Sequence, residues 1–141
     1  MSKLEAFKAR AANHGQTVSL YPFLNWPAGS YVETYSGEPD PDDAAYPATQ
    51  PSASYDTVVS VTGFFQPASE KVKDSPIRAP WGEEVKVTAI FFCPGDQTVT
   101  VNDKIVYGSA TYYVVALAPW QDGSTTVQVE VSLTESVPRA S

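Results

Sequence analysis

One cysteine, one histidine and one methionine among 141 residues leave little material for several common kinds of chemistry. Cys93 alone excludes a disulfide framework and a thiolate metal cluster, and it fits a chain that folds in a reducing cytosol. With no histidine partner placed by a motif, it reads as a small core hydrophobe and not as a nucleophile. His14 stands near the end of a predicted N-terminal helix, where an imidazolium interacts favourably with the helix dipole. No apolar run approaches the roughly 18 residues that a membrane span needs, and the N-terminus lacks the apolar stretch of a signal peptide. A soluble chain without membrane contact is expected. Positive charge is scarce as well: nine Lys and Arg face sixteen Asp and Glu, a formal net charge of −7. Such a surface does not neutralise nucleic-acid phosphates, so DNA would meet this protein as it meets a repelling wall. A Gly-rich phosphate loop, zinc-ligand spacing, a nucleophile elbow and a Ser/His/Asp pattern are all missing. These absences predict a protein that is not an enzyme and takes neither cofactor nor metal.

What the chain has in quantity is aromatic and β-branched residues, with eight Tyr, six Phe and three Trp, and turn formers, with twelve Pro and eight Gly. The composition favours a β protein. At this length one domain, 1–141, buries roughly 70% of its unfolded surface, enough for a real core. The clearest element runs from Asp103 to Trp120. Ile105, Val106 and Tyr107 form one β-favouring run and Thr111 to Leu117 another, and Gly108-Ser109 between them fits a type II′ turn with positive φ at the glycine. No His, Cys, Asp or Glu projects from the middle of either strand, so this hairpin reads as scaffold. Further strands are expected at 17–23, where Val18 and Leu20 share a face, at 31–35 and at 56–65. Another is expected from Val85 through Ile90-Phe91-Phe92-Cys93, and the last at 127–133, where Val127, Val129, Val131 and Leu133 alternate with polar residues. Thr98 to Val101 are expected to pair locally. The closing strand pairs with Tyr112 to Ala118 across the turn Gln121-Asp122-Gly123-Ser124.

Residues 1–15 read as a short helix with Ser2 and Glu5 in capping-box spacing and Gly15 as its stop. Its narrow stripe of Leu4, Phe7 and Ala11 must dock on the barrel or on another subunit, because a helix of about 12 residues is marginal alone. Lys3, Lys8 and Arg10 give it a basic side, and with Phe7 they form a candidate docking helix. Two long loops interrupt the β pattern. The first, 36–54, is rich in proline and carries Glu38, Asp40, Asp42 and Asp43 without a compensating base, followed by Tyr46. It lacks the glycine and the distal Glu of a calcium loop, and a solvated loop facing a partner is the better reading. The second, 66–83, carries Lys71, Lys73 and Arg78 together with Trp81, and reads as a basic segment for contact with an acidic neighbour. Trp26, Trp81 and Trp120 each stand beside Pro or Gly; they close a small barrel or, less simply, form a sugar-stacking platform.

From Val87 to Leu133 the features follow a particular order. A strand ends in a turn with Gly95-Asp96; Asp103-Lys104-Ile105 precedes a short turn; Tyr112-Tyr113-Val114-Val115 follows, then Pro119-Trp120 and a closing alternating strand. This order, over about a third of the chain, resembles the C-terminal half of the head-closure (stopper) proteins of tailed bacteriophages and related viruses. The resemblance implies a mainly β fold, a small antiparallel β-barrel with long loop insertions and a short N-terminal helix. It also implies a homo-oligomeric ring, of twelve subunits in that family, with portal or adaptor protein above and tail proteins below. The ring would sit in the virion neck, assembled in the host cytoplasm, around passing double-stranded DNA that it does not bind by sequence. A ring of this kind needs a heterologous interface, expected at 38–43 or 71–78. A tail-completion or adaptor protein of the same neck and a carbohydrate-binding β module are the other readings.

Overall fold

A computed structural model describes residues 2–26 and 53–138. The expected strand at 31–35 and the acidic positions Glu38, Asp40, Asp42, Asp43 and Tyr46 lie outside those residues. The elements in order are α1 (Lys3–His14), β1 (Gln16–Tyr21), β2 (Phe23–Asn25), β3 (Ser54–Tyr55), β4 (Val59–Pro67) and α2 (Glu70–Lys73). They continue with β5 (Ile77–Arg78), β6 (Glu84–Val85), β7 (Ala89–Pro94), β8 (Lys104–Tyr107), β9 (Ala110–Asp122) and β10 (Thr125–Thr134).

Six strands close into an antiparallel barrel in the order β1-β4-β7-β10-β9-β8, with β8 pairing back to β1. The fold class read from the sequence is therefore the one found. Alternation drives it: Val18 and Leu20 of β1, Val61 of β4, Phe91 and Cys93 of β7, Ile105 of β8, Val114 of β9, and Val131 and Leu133 of β10 all point inward and pack together. A barrel this small has little room at its centre. Gly63 of β4 provides some, because a side chain there would run into the Phe91 ring and the Phe92 carbonyl. Gly108 takes φ +61 in the two-residue turn between β8 and β9, while Ser109 stays out of the left-handed region, as a type II′ turn requires.

α1 forms as its caps predict. Ser2 Oγ accepts from the Glu5 amide at 3.1 Å, and the Gly15 amide donates to Ala11 O at 2.8 Å. Gly15 ends the helix for a reason the sequence did not reveal. Its backbone is extended, not left-handed, and a Cβ there would meet the Gly63 carbonyl, so the glycine permits the helix end to lie directly on β4. Phe7 and Ala11 are buried against the outside of the barrel with Val127, Phe64 and Phe92, and the Phe7 and Phe64 rings meet edge to face at 5.5 Å. Burying Phe7 contributes about 2–3 kcal/mol. Of the two docking surfaces expected for this stripe, the helix takes its own barrel.

The segment 66–83, expected as an irregular loop, is largely ordered. β4 runs through it to Pro67, α2 follows with Ser69 as its cap, and β5 and β6 form a small hairpin through the pairs Ile77↔Val85 and Arg78↔Glu84. These short pieces cover a second apolar cluster outside the barrel wall, where Ala68, Ala79, Trp81, Val85 and Val87 pack on Val115. Val114 and Val115 are thus both buried, one on each side of the wall. Thr98 to Val101 form no strand; the Thr100–Asp103 turn takes their place. β9 is longer than expected and carries Pro119 and Trp120 within it.

Candidate interaction surfaces

Three surfaces carry the residues singled out from the sequence. The first is where the chain leaves the barrel after β1 and returns before β4. β2 and β3 pair there through Phe23↔Tyr55 and Asn25↔Ser54, so the residues flanking segment 27–52 stand side by side on a two-stranded stem. The Asp56 amide donates to Pro22 O at 2.8 Å, closing the foot of the stem. Phe23 packs edge to face on Trp26 at 5.4 Å and on Tyr55 at 6.3 Å.

Below the stem lies Asp103, only 1% exposed. Its Oδ1 accepts from the Phe23 amide at 2.7 Å and from Thr100 Oγ1 at 2.9 Å, and its Oδ2 accepts from the Thr100 amide at 2.8 Å. A buried carboxylate is costly unless hydrogen bonds replace its hydration, and these three donors supply them. The neighbouring Lys104 points the other way, as strand alternation demands. Its Nζ lies 4.4 Å from the Tyr21 ring centroid and 4.9 Å from that of Tyr55. Burial pushes the Tyr55 phenol well above its ordinary range, and the charges of Tyr113 and Asp103 push it the same way. Tyr113, paired with Lys104 in the next strand, is raised by burial too.

The second surface is the basic side of α1. Lys8 Nζ reaches Asp96 Oδ2 at 2.7 Å and Lys3 Nζ reaches Asp122 Oδ1 at 3.7 Å, both in solvent and therefore weak. Arg10 lies 6.0 Å from the Phe7 ring centroid. Beside α1 rises the β9–β10 hairpin, whose Trp120 is 64% exposed. Shallow depressions lined by Arg10, Gln128, Phe92 and Trp120 run between helix and hairpin. The expected docking helix is thus changed: Phe7 is spent on the protein's own barrel and is not offered to a partner, whereas Arg10 remains exposed.

The third is the basic segment. Trp81 is only 7% exposed and holds the outer cluster together, so it cannot serve as a contact residue. The Arg78 guanidinium donates to Gly82 O at 2.7 Å and Lys73 lies 3.9 Å from Glu70, while Lys71 stays exposed.

Among the described residues no group of three or more His, Cys, Asp and Glu is placed to hold a metal ion, and no helix is long and apolar enough to cross a membrane. Sequence reasoning missed the contacts of Asp103 with Phe23 and of Lys104 with Tyr21 and Tyr55, of which the sequence shows only two adjacent opposite charges at the head of a strand. It also took the three tryptophans as equivalent, whereas one is buried, one packs on Phe23 and one stands in solvent. No protein-family model matches the chain and no curated protein matches it, so a functional reading rests on these surfaces and on the order of motifs in the sequence.

Proposed function

We propose that this chain is a subunit of a head–tail connector ring of the head-closure type, joining portal or adaptor to tail in the neck of a tailed bacteriophage or related virus. The observation that carries the reading is a closed barrel from which one acidic segment, 27–52, leaves on a two-stranded stem. A closed barrel is a rigid wall, and a segment held at both ends by that wall can face a channel or a neighbour while the wall stays still. The net charge of −7 suits passage of DNA, since it repels phosphates instead of holding them.

In such a ring one face of each subunit meets a different face of the next. Trp120 and Arg10 form one candidate face: a large exposed aromatic beside a cation is the composition that interface hot spots favour. Segment 38–43 and Lys71 belong to the other candidates. A carbohydrate module draws little support, because burial of Trp81 removes one of the three rings its platform would use.

The test is electron microscopy of the purified chain, alone and mixed with the portal and tail proteins encoded beside it. Rings, or the chain seated between portal and tail, are expected. A protein that stays monomeric and joins neither partner overturns the reading; one that seats only at the tail end replaces head closure by tail completion.

A further inference from the structure

The stem is too small to hold itself together. Two bridge pairs, one on either side of an irregularity, join the three-residue β2 to the two-residue β3, and an isolated two-stranded ribbon is at best marginal in water even when longer. What fixes it is the barrel, through two adjacent residues at the head of β8. Asp103 reaches the β2 arm on one side of the strand through its bond to the Phe23 amide. Lys104 reaches the β3 arm on the other side, with its ammonium between the Tyr55 and Tyr21 rings. The barrel itself closes without the stem, through Tyr21↔Lys104, Leu20↔Ile105 and Leu20↔Val59.

We propose that Asp103 and Lys104 are positioning residues that clasp the stem of segment 27–52 to the barrel wall, and that the stem opens as a unit of its own while the barrel remains folded. Two features make the opening local. The other two bonds of the Asp103 carboxylate go to Thr100, within its own turn, so releasing Phe23 leaves the carboxylate partly satisfied. The backbone bonds from Asn102 to Val114 O and from Val114 to Asp103 O, each 2.9 Å, tie that turn to β9 independently of the stem. Opening would part Phe23 and Trp26 from Tyr55 and re-aim the residues entering segment 27–52. Such opening belongs to the single chain and requires no ring.

Amide hydrogen exchange of the full chain in low urea tests it. In the wild type, the amides of Phe23 and Asp56 should exchange through an opening with a much smaller urea dependence than those of Val18 and Val131, because little surface is exposed when the stem lifts. Asp103→Asn keeps the shape but loses the charge and turns an amide group toward one of its donors. It should speed exchange at Phe23 by about ten- to a hundredfold and at Val131 by less than about threefold. Lys104→Met should speed exchange at Asp56, and Lys104→Arg, which keeps the cation, should restore it. Equal urea dependence for stem and core amides in the wild type overturns the proposal even if Asp103→Asn does not fold. So does a Phe23 amide that stays protected in Asp103→Asn.

Discussion

Cys93 lies on the inward face of β7, fully buried, with its Sγ 3.5 Å from Pro94 O. Burial, aided by the negative Asp96, pushes its thiol from an ordinary value near 9 up to about 12. A thiol that ionises later in the folded chain than in the unfolded one leaves the unfolded state with fewer protons above pH 9, so stability falls as pH rises from there. The slope from one such group is about 1.4 kcal/mol per pH unit, ending near pH 12, and Tyr55, Tyr112 and Tyr113 reinforce it from about pH 10. Urea unfolding at constant ionic strength should therefore show a flat midpoint from pH 7 to 8.5 and a steady fall above 9. Cys93→Ala should abolish the part between 9 and 10. In the native state Cys93 should not react with a thiol reagent that labels it fully in urea. Its core role was legible because it closes an apolar run. The role of Asp103 was not, since an acidic residue beside a turn is ordinarily solvated and its Phe23 partner lies 80 positions away.

At the scale of elements, α1 separates packing from charge. Phe7→Ala removes a ring that meets Phe64 and lies over Val127, and should cost about 3–5 kcal/mol and undock the helix. Lys8→Ala breaks a 2.7 Å pair in solvent and should cost under about 0.5 kcal/mol. Thermal melts and far-ultraviolet circular dichroism of the two variants check this, and equal effects would mean that the helix is held by its charges. Long alternating elements such as β10, and a helix with its caps in place, were readable because their pattern exceeds one period. Elements of two to four residues, as in α2, β5 and β6, fall below any period, and they form where Trp81 packs with Ala68, Ala79, Val85 and Val87 on Val115 of the distant β9. Pro119 read as the end of a strand. β9 continues through it because beyond Val114 its described pairing is with β10 alone, and a proline is tolerated on the open side of an edge.

For the whole molecule, the exposed Trp120 is the plainest test of association. Trp120→Ser removes a ring that contributes little to the core, so the melting temperature should stay within about 2 °C of wild type. If the chain assembles into the proposed ring, sedimentation should show weaker self-association of the variant, as expected for loss of an interface anchor; association as strong as in the wild type would place the ring contact on another face. That the chain is built of strands could be read from its alternation and the barrel was implied by the resemblance, but how it closes could not be read, because the seam is set by no local signal. In the finished wall every strand but β9 has at least one neighbour from a distant part of the chain: Ser19 sits between Ser60 and Val106. A chain so connected must pay the entropy of several large loops before its first strand gains both partners. Folding on the scale of milliseconds to seconds follows, with β1 exposed to wrong pairings until β8 has been made, and the meander is the part able to assemble first.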